Sequence, residues 1–245
     1  MSNLIKMEKY QLLHNLFYGC GGIIVFLLGF FTADTYVPEV MGPEGGVATS
    51  LVDIFNGMVY DTTFLLILLS SILALVFGQE FSCRTIDLEI GAGHSRKAIF
   101  TSKIVVYLFA FNIMALIYPI AGCLREFGKF GIEDVTGFIY NVIKATGYSF
   151  LLNSTSFLIA IIICFYLQSS VKAIAVTAIV NFILSIYLGY GMMLKLPVAF
   201  LTTFQIREVI STQGLIQLPA ILIGITWICI LVFLSWIKFR KCDLK

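Results

Sequence analysis

The chain has 245 residues, 59% of them hydrophobic, 14% aromatic and 12% charged, and its mean hydropathy is +0.97. A soluble domain carries about 25% charged residues, and one this apolar would leave large exposed patches. A soluble enzyme, a secreted disulfide scaffold and a disordered chain are therefore excluded, and a net charge of +2 is no footprint for nucleic acid.

What remains is an all-α integral membrane protein, read as a single transmembrane domain over 1–245 with room for six spans of about 20 residues. Residues 1–16 read as an interfacial helix. Leu12, Leu13, Leu16 and Phe17 share its apolar side, with Glu8, Gln11, His14 and Asn15 on the other. Its sequence is too polar before the first apolar run, and lacks the small-residue cleavage site, to read as a signal peptide. The first span is Phe17–Phe31. The loop after it carries Asp34, Glu39, Glu44, Asp53 and Asp61, and no Lys or Arg occurs between Lys9 and Arg84. The second span is Thr62–Gly78 and the third is Ile104–Leu124, with Pro119 near its end. The last three are Gly147–Leu167, Lys172–Leu194 and Pro219–Ile237. None contains Asp, Glu or Arg, and none alternates in polarity as barrel strands do, so helices are expected.

Lys and Arg set the orientation. With the N-terminus inside, the inner segments hold 11 of them and the outer segments 5, and six spans bring both termini to the cytoplasm. The sizeable inner loop is 79–103, GQEFSCRTIDLEIGAGHSRKAIFTSK from Gly78 onward. Within it Glu80 and Arg84 stand four apart, as a helical pair would, and Asp87 lies three from Arg84. Gly91-Ala92-Gly93 breaks the chain, and Ser95 is placed to cap a helix running into the third span. The outer segment 195–218 is rich in apolar residues for a loop. It reads as one or two re-entrant or surface-lying helices, since irregular backbone enters a bilayer only where protein covers it.

Chemistry of several kinds is missing. There is no Walker A sequence and no H-E-x-x-H, and the six cysteines are scattered without metal spacing. The spans hold neutral polar groups instead of the ionisable ones that proton- or ion-driven carriers use. Among these, Asn112, Asn153, Ser154, Thr155, Ser156 and Asn181 are the candidates for a polar substrate pathway, with packing between helices as the alternative. The chain holds no fuel-burning site of its own. Either a partner supplies the energy, or the protein is a stand-alone channel or ATP-independent carrier.

The inner loop resembles that of permease subunits of ABC-2 type transporters, the bacterial exporters whose permease and ATPase are separate chains. Their first cytoplasmic loop reads as Glu, a Gly-Thr pair, an apolar stretch, Ser-Arg, apolar residues and Lys. Here Glu80, Thr85, Ser95, Arg96, Ile99 and Lys103 match in order and spacing, with Arg84 in place of the Gly. The external segment before the last span and the ending Phe239-Arg240-Lys241-Cys242-Asp243-Leu244 also match. The resemblance implies a non-catalytic subunit in a bacterial plasma membrane, with a coupling helix in 79–103 seated on a separate ABC ATPase that binds ATP and Mg. It implies a second permease copy, the same or different, in the working unit. Glu80, Arg84, Thr85, Ser95, Arg96 and Lys103 are the expected coupling residues. Exporters of this size carry peptides, lipid-like molecules or hydrophobic drugs, among them antimicrobial peptides against which they confer immunity. The acidic first loop suggests attraction of a cationic peptide.

Overall fold

The computed structural model describes residues 2–38, 46–132, 134–212 and 217–241. Within them the chain is all-helical, without β-strands. Six helices are long and apolar enough to cross a bilayer, which makes this a multi-pass membrane protein.

The helices in chain order are α1 (Ser2–Leu13), α2 (Leu16–Thr32), α3 (Leu51–Tyr60), α4 (Thr63–Ser82) and α5 (Thr85–Gly91). Then come α6 (Arg96–Phe130), α7 (Val135–Leu167), α8 (Ser170–Met193), α9 (Thr202–Ser211) and α10 (Leu218–Lys241). A 3-10 turn, Ala33–Tyr36, continues α2. The spans are α2, α4, α6, α7, α8 and α10, in the order expected from the apolar runs. Two are longer than hydropathy alone suggests. Helices α6 and α7 hold 35 and 33 residues, roughly 50 Å each, so both overrun a hydrocarbon core of about 30 Å. Pro119 sits inside α6 without ending it.

The local causes are readable. Asn15 closes α1 and caps α2, its side chain accepting from the Phe17 and Tyr18 amides. Ser95 caps α6 by accepting from the Ala98 amide, as its position before the third span predicts. Ser50 and Asp53 form a reciprocal capping box at the start of α3. That helix replaces the plain loop expected between the first two spans. Ile54, Phe55, Met58 and Val59 on it are buried, which no loop would require.

Packing centres on α4, α6 and α7, whose apolar stretches are more than half buried, while α2, α8 and α10 stand outside them. Close approach needs small residues. A Cβ on Gly29 of α2 would meet the Tyr118 carbonyl oxygen at 2.3 Å, and one on Gly78 of α4 would meet Ser170 Cα at 2.7 Å. Near the α1 end, Phe77, Phe100, Phe165, Trp236 and Phe239 pack ring to ring and tie α4, α6, α7 and α10 together. The opposite end carries α3 and α9.

The acidic residues of the first loop are largely engaged. Asp34 pairs with Arg125 and Lys129 of α6. Asp53 is taken up by its capping box, where burial raises its carboxyl but hydrogen bonds from Thr49 and Ser50 outweigh this and hold it low. Asp61 pairs with Arg207 of α9 at 3.4 Å. Glu39 and Glu44 lie outside the described residues.

Candidate functional site

At the α1 end the loop 79–103 folds over a buried ionic hub. Phe77 through Ser82 complete the last turns of α4, and the chain must reverse before α5. Arg84 makes the reversal in the left-handed region, at φ 54°. That conformation is costly for any residue but Gly. Helix α5 then turns Ile86 and Glu89 inward and leaves Leu88 exposed, at 69%. Gly93, at φ +89°, releases the chain into the Ser95 cap, so the Gly-Ala-Gly break stands where expected.

Lys103 is the centre of the hub. Its Nζ donates to Glu8 Oε1 at 2.7 Å, Glu80 Oε2 at 2.7 Å and Glu89 Oε1 at 2.9 Å. The Tyr107 hydroxyl donates to Glu80 Oε1 at 2.7 Å, and the Thr85 hydroxyl lies 2.9 Å from Glu80 Oε2. Lys103 is 1% exposed, and the three carboxylates are buried with it. Four helices, α1, α4, α5 and α6, thus meet on one ammonium. The three carboxylate oxygens lie within 4.8 Å of one another, a separation that would suit a metal ion, but the ammonium already fills the role of cation there. One charge against three leaves the hub short of positive charge. Burial pushes the Glu8 carboxyl up to about 8, against the pull of Lys103, and the repulsion of Glu80 and Glu89 adds to the rise.

The loop residues singled out in the sequence fall into place unequally. Glu80, Thr85 and Lys103 meet in the hub. Arg84 forms the turn instead of pairing with Glu80, whose carboxylate faces Lys103 and Tyr107. Ser95 caps α6, and Arg96 Nη1 donates to the Arg240 carbonyl at 3.1 Å, fastening α6 to the end of α10. Glu8 and Glu89 were not among the expected residues, and Glu8 reverses its expected side. Helix α1 buries Leu4, Glu8 and Leu12 and exposes Leu13, and Leu16 and Phe17 at the start of α2 are exposed too. A carboxylate four residues from a leucine on either side is a charge inside an apolar stripe, and that spacing was the available signal.

The neutral polar candidates divide between two places. Asn112 Nδ2 donates to Ser154 Oγ at 2.9 Å and links α6 to α7. Thr155, Ser156 and Asn181 instead line a cavity between α4, α7, α8 and α10. Asn153 is buried close by on α7 but does not line it. The segment before α9 closes the cavity from the α9 end. Thr155 and Thr202 hydroxyls meet at 2.6 Å, and Trp227 Nε1 donates to the Phe200 carbonyl at 2.9 Å. Trp227 is roughly 13 Å along α10 from its start, so this backbone dips well inside the bundle. The segment 195–218 therefore holds one described helix, α9, preceded by a descending stretch whose polar groups protein satisfies.

No protein-family model matches the chain, and no curated protein matches its sequence.

Proposed function

We propose that the chain is the permease subunit of an ATP-binding cassette exporter of the ABC-2 type, moving a peptide, a lipid-like molecule or a hydrophobic drug across a bacterial plasma membrane. The observation that carries this reading is the seating of α5. A seven-residue helix between two spans stands on an ion cluster shared by three other helices and presents Leu88 outward. A force applied to α5 reaches α1, α4 and α6 through Lys103, and no slack side chain intervenes. Such stiffness suits a lever worked from outside the membrane, and a channel has no use for it.

On this reading the hub end is cytoplasmic, in accord with its Lys and Arg content. Helix α1 is then interfacial, α5 is the coupling helix, and α9 with the stretch before it is external. A partner ATPase binds ATP and Mg, and a second permease copy completes the unit. Glu80, Thr85 and Lys103 hold the coupling helix, Arg84 sets its entry angle, and Ser95 and Arg96 fix the start of α6.

The test is copurification from the native host. The tagged chain should bring down a protein with ATPase activity and a Walker A sequence, and Leu88→Asp should abolish that association. Because Leu88 is exposed, the variant should still elute as folded protein. Well-folded wild-type chain that carries no ATPase would overturn the proposal, and flux through liposomes bearing the chain alone would then test the channel or carrier reading.

A further inference from the structure

A cavity lies between α4, α7, α8 and α10. Its empty space, open solvent included, is about 590 Å³. Leu66, Ile159, Leu184, Phe200, Trp227 and Leu231 make its walls mainly apolar. Two polar side chains on those walls are nine-tenths buried or more and have no partner for the atoms they turn inward. Ser156 is 6% exposed and its hydroxyl meets no protein group. Asn181 is 5% exposed, and its Nδ2 donates to the Thr177 carbonyl while its Oδ1 accepts nothing from the protein. The hydroxyl and the amide oxygen both belong to residues that line the cavity, and neither is used by a hydrogen bond within the protein, so both are free to meet a ligand.

Among the described residues, none that lines the cavity is charged. Arg207 donates to Asp61 and to the hydroxyl of the lining residue Thr63 but is not itself among the lining residues. An ion would find no counter-charge and would lose its hydration. Helix α8 packs on α4 and α7, and α10 on α7 and α9, and half-exposed Phe200 is among the residues that line the cavity.

We infer that this cavity binds the uncharged hydrogen-bonding head, a hydroxyl or primary amide, of an amphiphile that enters from the bilayer. Ser156 donates to the head and Asn181 Oδ1 accepts from it, while its apolar tail lies against the apolar walls. That this amphiphile is the transported substrate rests on the permease reading, whereas the binding itself does not.

The chain has two tryptophans, so Trp236→Phe leaves Trp227 as the sole reporter, on the cavity wall. The protein in lipid nanodiscs is titrated with 2-bromo-1-decanol, whose bromine sits beside the hydroxyl and quenches indole on contact. Saturable quenching is expected. Ser156→Ala with Asn181→Leu should raise the midpoint roughly tenfold, two intramembrane hydrogen bonds being lost. Each single change should produce part of that shift, which covers the case of a double variant that does not fold. The 2-bromodecanoate anion at neutral pH should give only linear quenching through the bulk lipid. Linear quenching by the alcohol, a midpoint indifferent to the substitutions in folded protein, or saturable quenching by the anion of equal strength would each overturn the inference. No ATPase is present in this assay, so its failure leaves the Leu88 result standing, and the reverse also holds.

Discussion

Replacing Lys103 with methionine puts the hub to its hardest test. Methionine keeps an unbranched apolar stem and removes the ammonium. Glu8, Glu80 and Glu89 are then left facing one another in a space where Lys103 had been 1% exposed. Removing one partner of a buried pair costs about 3–5 kcal/mol, because the other charge stays buried without compensation. Lys103 serves three carboxylates, at 2.7, 2.7 and 2.9 Å, so the upper end of that range applies. At about 2–4 °C per kcal/mol for a chain of this length, the melting temperature should fall by roughly 10–20 °C. The assay is thermal unfolding of the detergent-purified chain, followed by loss of its monodisperse elution peak. A companion variant separates charge from packing. Lys103→Met combined with Glu8→Gln, Glu80→Gln and Glu89→Gln buries no ion at all and should recover more than half of the loss. A Lys103→Met protein that melts within about 3 °C of wild type would refute the reasoning, as would a charge-free variant no better than the single one.

Glu8 adds a pH dependence of known sign. Its carboxyl titrates at about 8 in the folded chain against 4.5 when unfolded, so the folded state holds the extra proton between those values. The stabilisation this gives is complete below 4.5 and is lost as pH rises through 8. Glu8→Gln should therefore gain on wild type as the pH is raised across that window, by up to several kcal/mol at about 1.4 kcal/mol per unit, and melting curves that keep a constant gap would contradict it. Gly29→Ala should destabilise by about 1–3 kcal/mol, since its Cβ meets a backbone oxygen, whereas Gly19→Ala on the same helix faces open space and should be neutral or stabilising in the same melt. Arg84→Gly should raise the melting temperature by a few degrees, through release of about 1 kcal/mol of left-handed strain, while Arg84→Ala should not.

Hydropathy made the six spans legible because lipid imposes one rule on every residue of a span. It could not mark where α6 and α7 stop, since their ends leave the hydrocarbon and the rule no longer holds. Helix α3 was hidden for the opposite reason. Ten residues are too few to span, and Asp53 within it and Asp61 at its end looked like loop charge until one proved to be part of a capping box and the other a partner of Arg207. In the loop 79–103 the family-like order includes Glu80, Thr85 and Lys103, which the structure brings together. It could not supply Glu8, which arrives from more than seventy residues earlier in the chain, or Glu89, whose alternation with Ile86, Leu88 and Ile90 read as readily as a strand. Long-range ion pairs leave no local periodicity, so the hub became visible only with the helices in place.

The two sites obey a single physical constraint in opposite ways. Charge is tolerated in the hub because four helices converge on it at the edge of the apolar zone, where each oxygen that meets Lys103 offsets part of the desolvation. The cavity lies deeper, and there the chain offers only Ser, Thr and Asn, whose unsatisfied groups cost far less than an ion would. Helix α4 belongs to both. It carries Glu80 at the hub and Thr63 with Leu66 at the cavity, separated by roughly 25 Å of helix in which Leu69, Leu73 and Phe77 are wholly buried. A helix packed that tightly shifts as a unit. Displacement of α5 that pulls Glu80 through Lys103 consequently changes the wall against which an amphiphile would rest, and neither site needs a charge inside the membrane for that to occur.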